Sequence, residues 1–180
     1  MKKKQQKFLI IFLISLVLTT YKEDVYSNSK MKEIENYKTW EKITKEPWQQ
    51  PPLNARDCSL PISMMESIDV EGKIKNPHID KYINIYVNDI GKDAMLEKTT
   101  FPIGSIIVKE KFSKELSSSI ELLTVMIKHQ RNYNSDNGDW EYAILDGKNS
   151  SLQDRGKLFK CQSCHTYAKD SDYVFRSYLD

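Results

Sequence analysis

The feature that most restricts the fold is the motif CQSCH at residues 161–165, which is followed by only fifteen residues of the 180-residue chain. Two cysteines three positions apart, with a histidine directly after the second, form the C-x-x-C-H pattern of c-type haem attachment. On one helical turn, the thiols of Cys161 and Cys164 can add to the two vinyl groups of one porphyrin, and His165 then projects at its iron. The motif therefore predicts one covalently bound haem c, with thioether bonds to both cysteines and His165 as axial ligand.

The two cysteines have three other possible roles: a disulfide, a redox site or a zinc site. A disulfide between them would suit an exported chain, but it leaves the adjacent histidine unexplained. A thioredoxin-like site would open a helix after a strand of a parallel sheet, and no such pattern is present. A zinc site would need a second pair of ligands, whereas Cys58, His78 and His129 are single and scattered. Haem attachment is the interpretation that uses all three residues of the motif.

The first twenty residues have the features of a secretory signal peptide. A basic start is followed by a run from Phe8 to Leu18 that is apolar except for Ser15, and this run is shorter than the roughly 20 apolar residues that span a bilayer. We expect residues 1–20 to be removed on export, residues 21–32 to form a polar linker and residues 33–180 to form one haem domain. The expected location is the periplasm or another compartment outside the cytoplasm, where c-type haem is attached.

The overall charge argues against a highly charged partner. The chain has 27 Lys and Arg against 25 Asp and Glu, and 39% of its residues are hydrophobic. That hydrophobic content is enough for one core. The near balance of charge provides no strong field to attract a polyanion, so we expect no nucleic-acid partner.

Four short runs rich in β-branched and aromatic residues predict the strands of an antiparallel sheet. The runs are YINIYVND from Tyr82, IGSIIVKEKF from Ile103, LLTVMIKHQ from Leu122 and WEYAILD from Trp140. The turn signal Asn137-Gly138 lies between the last two runs and predicts that they are antiparallel neighbours.

Two helices are predicted beside these strands. One begins near Asp89 and ends before Phe101-Pro102. The other has Ile34, Tyr37, Trp40 and Ile43 at helical spacing and ends before Pro47, where a proline-rich loop follows. The predicted fold class is therefore α+β, with an antiparallel sheet flanked by helices and a C-terminal haem-attachment segment.

The late position of the motif restricts the kind of cytochrome. Small electron carriers have C-x-x-C-H early in the chain and a methionine ligand far downstream, but residues 166–180 contain no methionine. A sixth ligand would have to come from upstream; Met95 and Met126 both lie in apolar runs that favour a core role. Four-helix-bundle cytochromes carry a C-terminal motif and an open iron, but the predicted strands argue against an all-helical fold.

Taken in chain order, YVND, GSIIVKE, LTVMIK, NGDWEYAILD, CQSCH and DYVF resemble the cytochrome P-460 family and its relative cytochrome c′-beta. The resemblance extends over about residues 76–179. It implies an antiparallel sheet flanked by helices, a homodimer, and one c-type haem with histidine as sole protein axial ligand and an open distal face. Members of the first group resemble oxidases of hydroxylamine or nitric oxide, with a lysine bonded to the porphyrin. Members of the second resemble gas-binding proteins that lack that bond.

The family pattern indicates further candidate residues of the haem site. The family lysine corresponds to Lys109, and the distal carboxylate of hydroxylamine-oxidising members corresponds to Thr124. Glu121 is three residues out of register and should point to the opposite face of its strand. Ile83 stands where some members have a basic residue. The resemblance thus implies an apolar distal pocket that can bind nitric oxide or carbon monoxide but lacks a base for hydroxylamine.

The functional expectation follows from these matches. The expected ligand is a small nitrogen oxide or gas, and the expected protein partner is a redox cytochrome. A bond between Lys109 and haem would imply a hydroxylamine or nitric oxide oxidoreductase, and its absence a gas-binding cytochrome. The alternative is a plain electron-transfer cytochrome with an upstream sixth ligand such as Met126.

The remaining candidate residues are expected to have mainly structural roles. Trp140 and Tyr142 alternate on a strand, as residues that build a core or line the haem do. Solvent-exposed or loop positions are expected for His78, His129, Asp170 and Asp172. Cys58 is left as a buried thiol or an intermolecular bridge.

Overall fold

A computed structural model describes residues 2–49, 82–112 and 119–179. The chain divides into two compact units, Met1–Asn36 and Tyr37–Asp180. The first unit contains one helix, α1, from Lys2 to Ile34. Within the described residues, no helix is both long enough and apolar enough to cross a membrane.

Helix α1 includes residues 21–32, for which the sequence predicts a polar linker. These residues are helical, and their role as a linker stays a prediction. Residues 1–36 contain no glycine or proline, and those are the residues that most strongly interrupt a helix. The helix therefore continues past the apolar run until Ile34.

The second unit is built on an antiparallel sheet that has seven strands in the described part of the chain. The longer strands are β3 (Tyr82–Val87), β4 (Ile106–Phe112), β5 (Ile120–Lys128), β6 (Trp140–Asp146) and β7 (Leu152–Gly156). They pair in chain order, each antiparallel to the next. The four predicted strands are confirmed as β3 to β6, and the α+β fold class is confirmed with them.

Two short strands, β1 (Glu41–Lys42) and β2 (Trp48–Gln49), both pair with β3. Strand β1 lies in the region where the sequence predicts a helix that ends before Pro47, and this prediction is wrong beyond Ile34. The backbone N–H of Ile43 instead donates to the carbonyl of a β3 residue, 2.8 Å away. Pairing with the sheet thus overrides the helical spacing of the apolar residues.

The connections beside the strands agree with their sequence signals. Helix α2 (Asp89–Leu96) begins where predicted, and the side chain of Asn88 caps it by accepting from the Gly91 N–H at 3.2 Å. The turn before β6 has Gly138 in the left-handed conformation with φ of 63°. Glycine adopts this conformation without steric cost.

We call one side of the sheet the core face. In an antiparallel sheet, directly opposed residues share a face. The register places Val87, Ile107, Met126 and Tyr142 side by side on the core face. These residues belong to one buried hydrophobic cluster, which also includes residues of α2 and of the C-terminal segment. The last segments of the chain therefore pack onto this side of the sheet.

Candidate functional site

The C-x-x-C-H motif lies on a short helix, α3 (Phe159–His165), which follows β7. One helical turn separates Cys161 from Cys164, and both side chains are partly buried. Both thiols are free, so the structure gives no support to a disulfide between them. Cys161 packs against the cluster on the core face. The structure therefore brings both thiols to one helix lying on the sheet.

The imidazole of His165 is oriented by a single short hydrogen bond. Its Nδ1 lies 2.6 Å from the carbonyl oxygen of Tyr173. Because a carbonyl can only accept, Nδ1 carries the proton and donates it, which leaves the lone pair of neutral imidazole on Nε2. Burial lowers the pKa of His165 to about 4; the bond to Tyr173 opposes this shift and Lys109 adds to it. A neutral ring with a fixed tautomer is the form in which histidine ligates a metal.

Two aromatic rings flank His165. The centroid of its ring lies 5.2 Å from that of Tyr142 and 5.5 Å from that of Phe175. The Tyr142 hydroxyl is buried and has no hydrogen-bond partner among the residues that the structure describes, and burial raises its pKa. A Cβ added to Gly156, directly opposite Tyr142 in the sheet, would meet no atom within 4 Å. An unpartnered polar atom near open space fits a site that accepts a further group.

Lys109 and Thr124 lie directly opposite each other on β4 and β5. Both point to the core face, since they alternate in step with the buried residues of the cluster, and both are partly buried. Burial lowers the pKa of Lys109, while the thiols of Cys161 and Cys164 oppose that shift. Lys109 therefore lies within electrostatic range of the motif, as the family resemblance implies. The roles of Lys109 and Thr124 themselves stay predictions.

The neighbours of this pair are apolar. Ile85 is the register partner of Lys109 on one side, and Ile144 is the partner of Thr124 on the other. Ile83, also on the core face, is 3% exposed. Glu121 is exposed and lies three positions before Thr124, so strand alternation turns it away from the core face. This agrees with the expected apolar surroundings of Thr124.

Glu110 is a buried carboxylate whose role the sequence does not reveal. It follows Lys109 directly, so it points to the opposite face of the sheet, where its side chain is fully buried. It accepts from the hydroxyl of Tyr37 at 2.7 Å and from Nδ2 of Asn84 at 3.0 Å, and it forms an ion pair with Lys38. Tyr37 is 73 residues away in the chain, so no local pattern could have shown the contact.

We predict that Glu110→Gln lowers the free energy of unfolding by about 1 to 3 kcal/mol. The amide keeps one acceptor oxygen but removes the charge that faces Lys38, and hydrogen bonds to charged groups contribute in this range. Denaturant titration measures the change. Glu97→Gln, at an exposed position, is the matched control and should change stability little. Equal stability of the two variants would contradict a stabilising role for Glu110.

His129 and Asp172 lie in a loop and at a helix end, as the prediction of surface or loop positions allows, but neither is exposed to solvent. His129 is 2% exposed, and its Nε2 lies 2.7 Å from a carboxylate oxygen of Glu141 on β6. The Asp172 side chain is only 10% exposed and pairs with Lys128, whereas Asp170 is exposed as expected. In both cases the polar residue is buried because a partner distant in the chain satisfies it.

Other candidates from the sequence lie away from the motif or outside the described residues. Met95 and Met126 are buried in the core cluster, as predicted. Trp140 and Tyr142 are also core residues. In the described part of the chain, no three His, Cys, Asp or Glu side chains are grouped to hold a metal ion. Cys58 and His78 lie outside the described residues, as does most of the predicted loop after Pro47.

A helix with a C-x-x-C-H motif, packed on an antiparallel sheet and carrying a neutral, oriented histidine, defines a haem-binding cytochrome. The family model for Cytochrome P460 matches residues 34–176. The chain therefore belongs to the cytochrome P460 family, which confirms the resemblance and implies a haem cofactor. A search of the curated proteins finds no match.

Proposed function

We propose that this protein is an exported monohaem c-type cytochrome that binds small nitrogen oxides, nitric oxide above all, at an open distal site. Cys161 and Cys164 would hold the haem by thioether bonds, and Nε2 of His165 would be its protein axial ligand. The bound haem would supply an iron that takes up the ligand and exchanges electrons. The observation that carries this proposal is the bond from Nδ1 of His165 to Tyr173, because it leaves Nε2 for the metal.

An open distal site is favoured over a sixth protein ligand. Met126, the upstream candidate for an electron carrier, is 8% exposed and belongs to the core cluster. Met95 is fully buried, and its sulfur accepts from the hydroxyl of Tyr178 at 3.5 Å. Recruiting either thioether to the iron would remove it from the core, which would leave a destabilising cavity.

Ligand binding is favoured over efficient oxidation by the residues around Lys109. Its cross-strand partner is Thr124, which cannot act as a base at neutral pH. The next register partners on either side of this pair are the apolar residues Ile85 and Ile144. A base within reach of the substrate is what proton removal from hydroxylamine requires. Burial favours the neutral, nucleophilic amine of Lys109. We therefore assign oxidation of hydroxylamine or nitric oxide only to protein in which Lys109 is bonded to the porphyrin.

Export and assembly are part of the same proposal. The basic and apolar start of the chain supports secretion, with removal of residues 1–20. The family resemblance supports a homodimer and a redox cytochrome as partner. The mass of the purified haem protein tests removal of the first segment, and sedimentation tests the dimer.

The absorption spectrum of the ferrous protein tests the proposed haem coordination. We expect a five-coordinate, high-spin c-type haem that binds nitric oxide without turnover. His165→Gly should abolish the native spectrum because it removes the axial nitrogen, and added imidazole should restore it in part. Low-spin, six-coordinate spectra in both oxidation states would contradict an open site and favour an electron carrier. Peptide mapping of the same sample shows whether Lys109 carries haem mass.

A further inference from the structure

The carbonyl that orients His165 belongs to an unusual stretch of backbone. Asp172 and Tyr173 are consecutive left-handed residues, with φ of 51° and 62°. Residues other than glycine rarely adopt this conformation, and it persists only where the surrounding contacts enforce it. The contacts of Asp172 therefore help to determine where the Tyr173 carbonyl lies.

Besides the bond from its own N–H to the carbonyl of Lys169, Asp172 accepts four hydrogen bonds from three residues. Its carboxylate accepts two bonds from Nζ of Lys128, at 2.7 and 2.8 Å, and one from the backbone N–H of Phe101, at 2.8 Å. Its carbonyl accepts from Nε1 of Trp140, also at 2.8 Å. We call Lys128, Trp140 and Asp172 the proximal clamp. It joins β5, β6 and the C-terminal segment immediately before the carbonyl that meets His165.

The clamp is well protected from solvent. The side chains of Lys128 and Asp172 are each 10% exposed, so their ion pair is screened little by water. The Lys128 ammonium also lies over the Trp140 ring, 4.9 Å from its centroid. A charged pair in such surroundings has a defined geometry, unlike a pair at the surface.

We propose that the proximal clamp positions the Tyr173 carbonyl and thereby sets how strongly His165 donates electrons to the haem iron. This inference rests on the proposed function, in which Nε2 of His165 is the axial ligand. A hydrogen bond from the non-ligating nitrogen of a histidine raises the basicity of the ligating one. Lys128 and Asp172 are positioning residues in this scheme, because they act through the carbonyl that follows Asp172.

The test compares Lys128→Met and Asp172→Asn with the unaltered haem-loaded protein. The iron–histidine stretching frequency of the ferrous form, measured by resonance Raman spectroscopy, should fall in both variants because the bond to Tyr173 weakens. The midpoint potential should rise, since weaker donation stabilises the ferric state less. Lys128→Arg keeps the positive charge and should restore values close to those of the unaltered protein.

A matched control uses the exposed ion pair of Lys92 with Glu41, whose side chains are 41% and 42% exposed. Lys92→Met makes the same chemical change as Lys128→Met, and it should move neither the frequency nor the potential. Unchanged values in folded Lys128→Met and Asp172→Asn would overturn the inference. If those variants do not fold, Trp140→Phe keeps an aromatic ring but removes the N–H that meets the Asp172 carbonyl, and an unchanged frequency there would overturn the inference as well.

The same measurements show whether the clamp inference or the proposed function is wrong. His165→Gly should abolish the iron–histidine band in every background. If the band survives that substitution, His165 is not the ligand and the proposed function is wrong. If the band is lost with His165→Gly but does not shift in the clamp variants, only the clamp inference is wrong.

Discussion

The double variant Cys161→Ala/Cys164→Ala is expected to lose its thioether-bound haem entirely. Each thiol supplies one of the two bonds proposed to hold the porphyrin, and alanine supplies none. Haem staining after denaturing electrophoresis measures the loss, because only covalently attached haem remains with the chain. Cys58→Ala is the matched control and should stain like the unaltered protein.

The same experiment reports on Lys109. If the double variant keeps some stain, and Lys109→Leu added to it removes that stain, Lys109 is a third point of attachment. Stain that persists in the triple variant would contradict the assignment of all three residues. Cys161→Ala alone should keep haem through Cys164, with the absorption bands displaced because one vinyl group remains unreacted.

Local patterns predicted the elements whose stability depends on nearby residues. Strands β3 to β6 have β-branched and aromatic runs, and α2 has a capping asparagine, so sequence neighbours already specify them. The apolar spacing of residues 35–46 predicts a helix, but pairing with β3 decides the outcome. Strand β7 was not predicted because LQDRG has no β-branched or aromatic residue, and β6 beside it supplies its pairing partners.

Some features of the candidate site also depend on sequence neighbours, and others depend on distant residues. The motif on α3 is contiguous, and Lys109 and Thr124 could be assigned to one face because strand alternation is regular. The buried roles of Glu110 and Asp172 depend on partners 73 and 44 residues away, respectively, in the chain. Those contacts arise only when distant parts of the chain meet, so the sequence alone predicts a solvated position for Asp172 and gives no role to Glu110.

In protein in which Lys109 is bonded to the porphyrin, Thr124→Glu is expected to raise the rate of hydroxylamine oxidation by about 100-fold, which lies at the lower end of what general-base catalysis contributes. The new carboxylate would lie directly across from Lys109 on the core face. Position 124 is only partly buried, so a carboxylate there keeps enough hydration to ionise at neutral pH, and only the ionised form can accept a proton from hydroxylamine in the pocket. The rate is measured as hydroxylamine-dependent reduction of a redox dye, which serves as electron acceptor.

Two variants separate the effect of the base from the effects of size and of charge elsewhere. Thr124→Gln has nearly the same volume as Thr124→Glu but no basic oxygen at neutral pH, so it should stay at the original rate. Glu121→Gln removes a carboxylate that strand alternation turns away from the core face, and it should change nothing. The rate of Thr124→Glu should also fall as acid protonates the new carboxylate. Equal rates for Thr124→Glu and Thr124→Gln would mean that the missing base is not what limits oxidation in this protein.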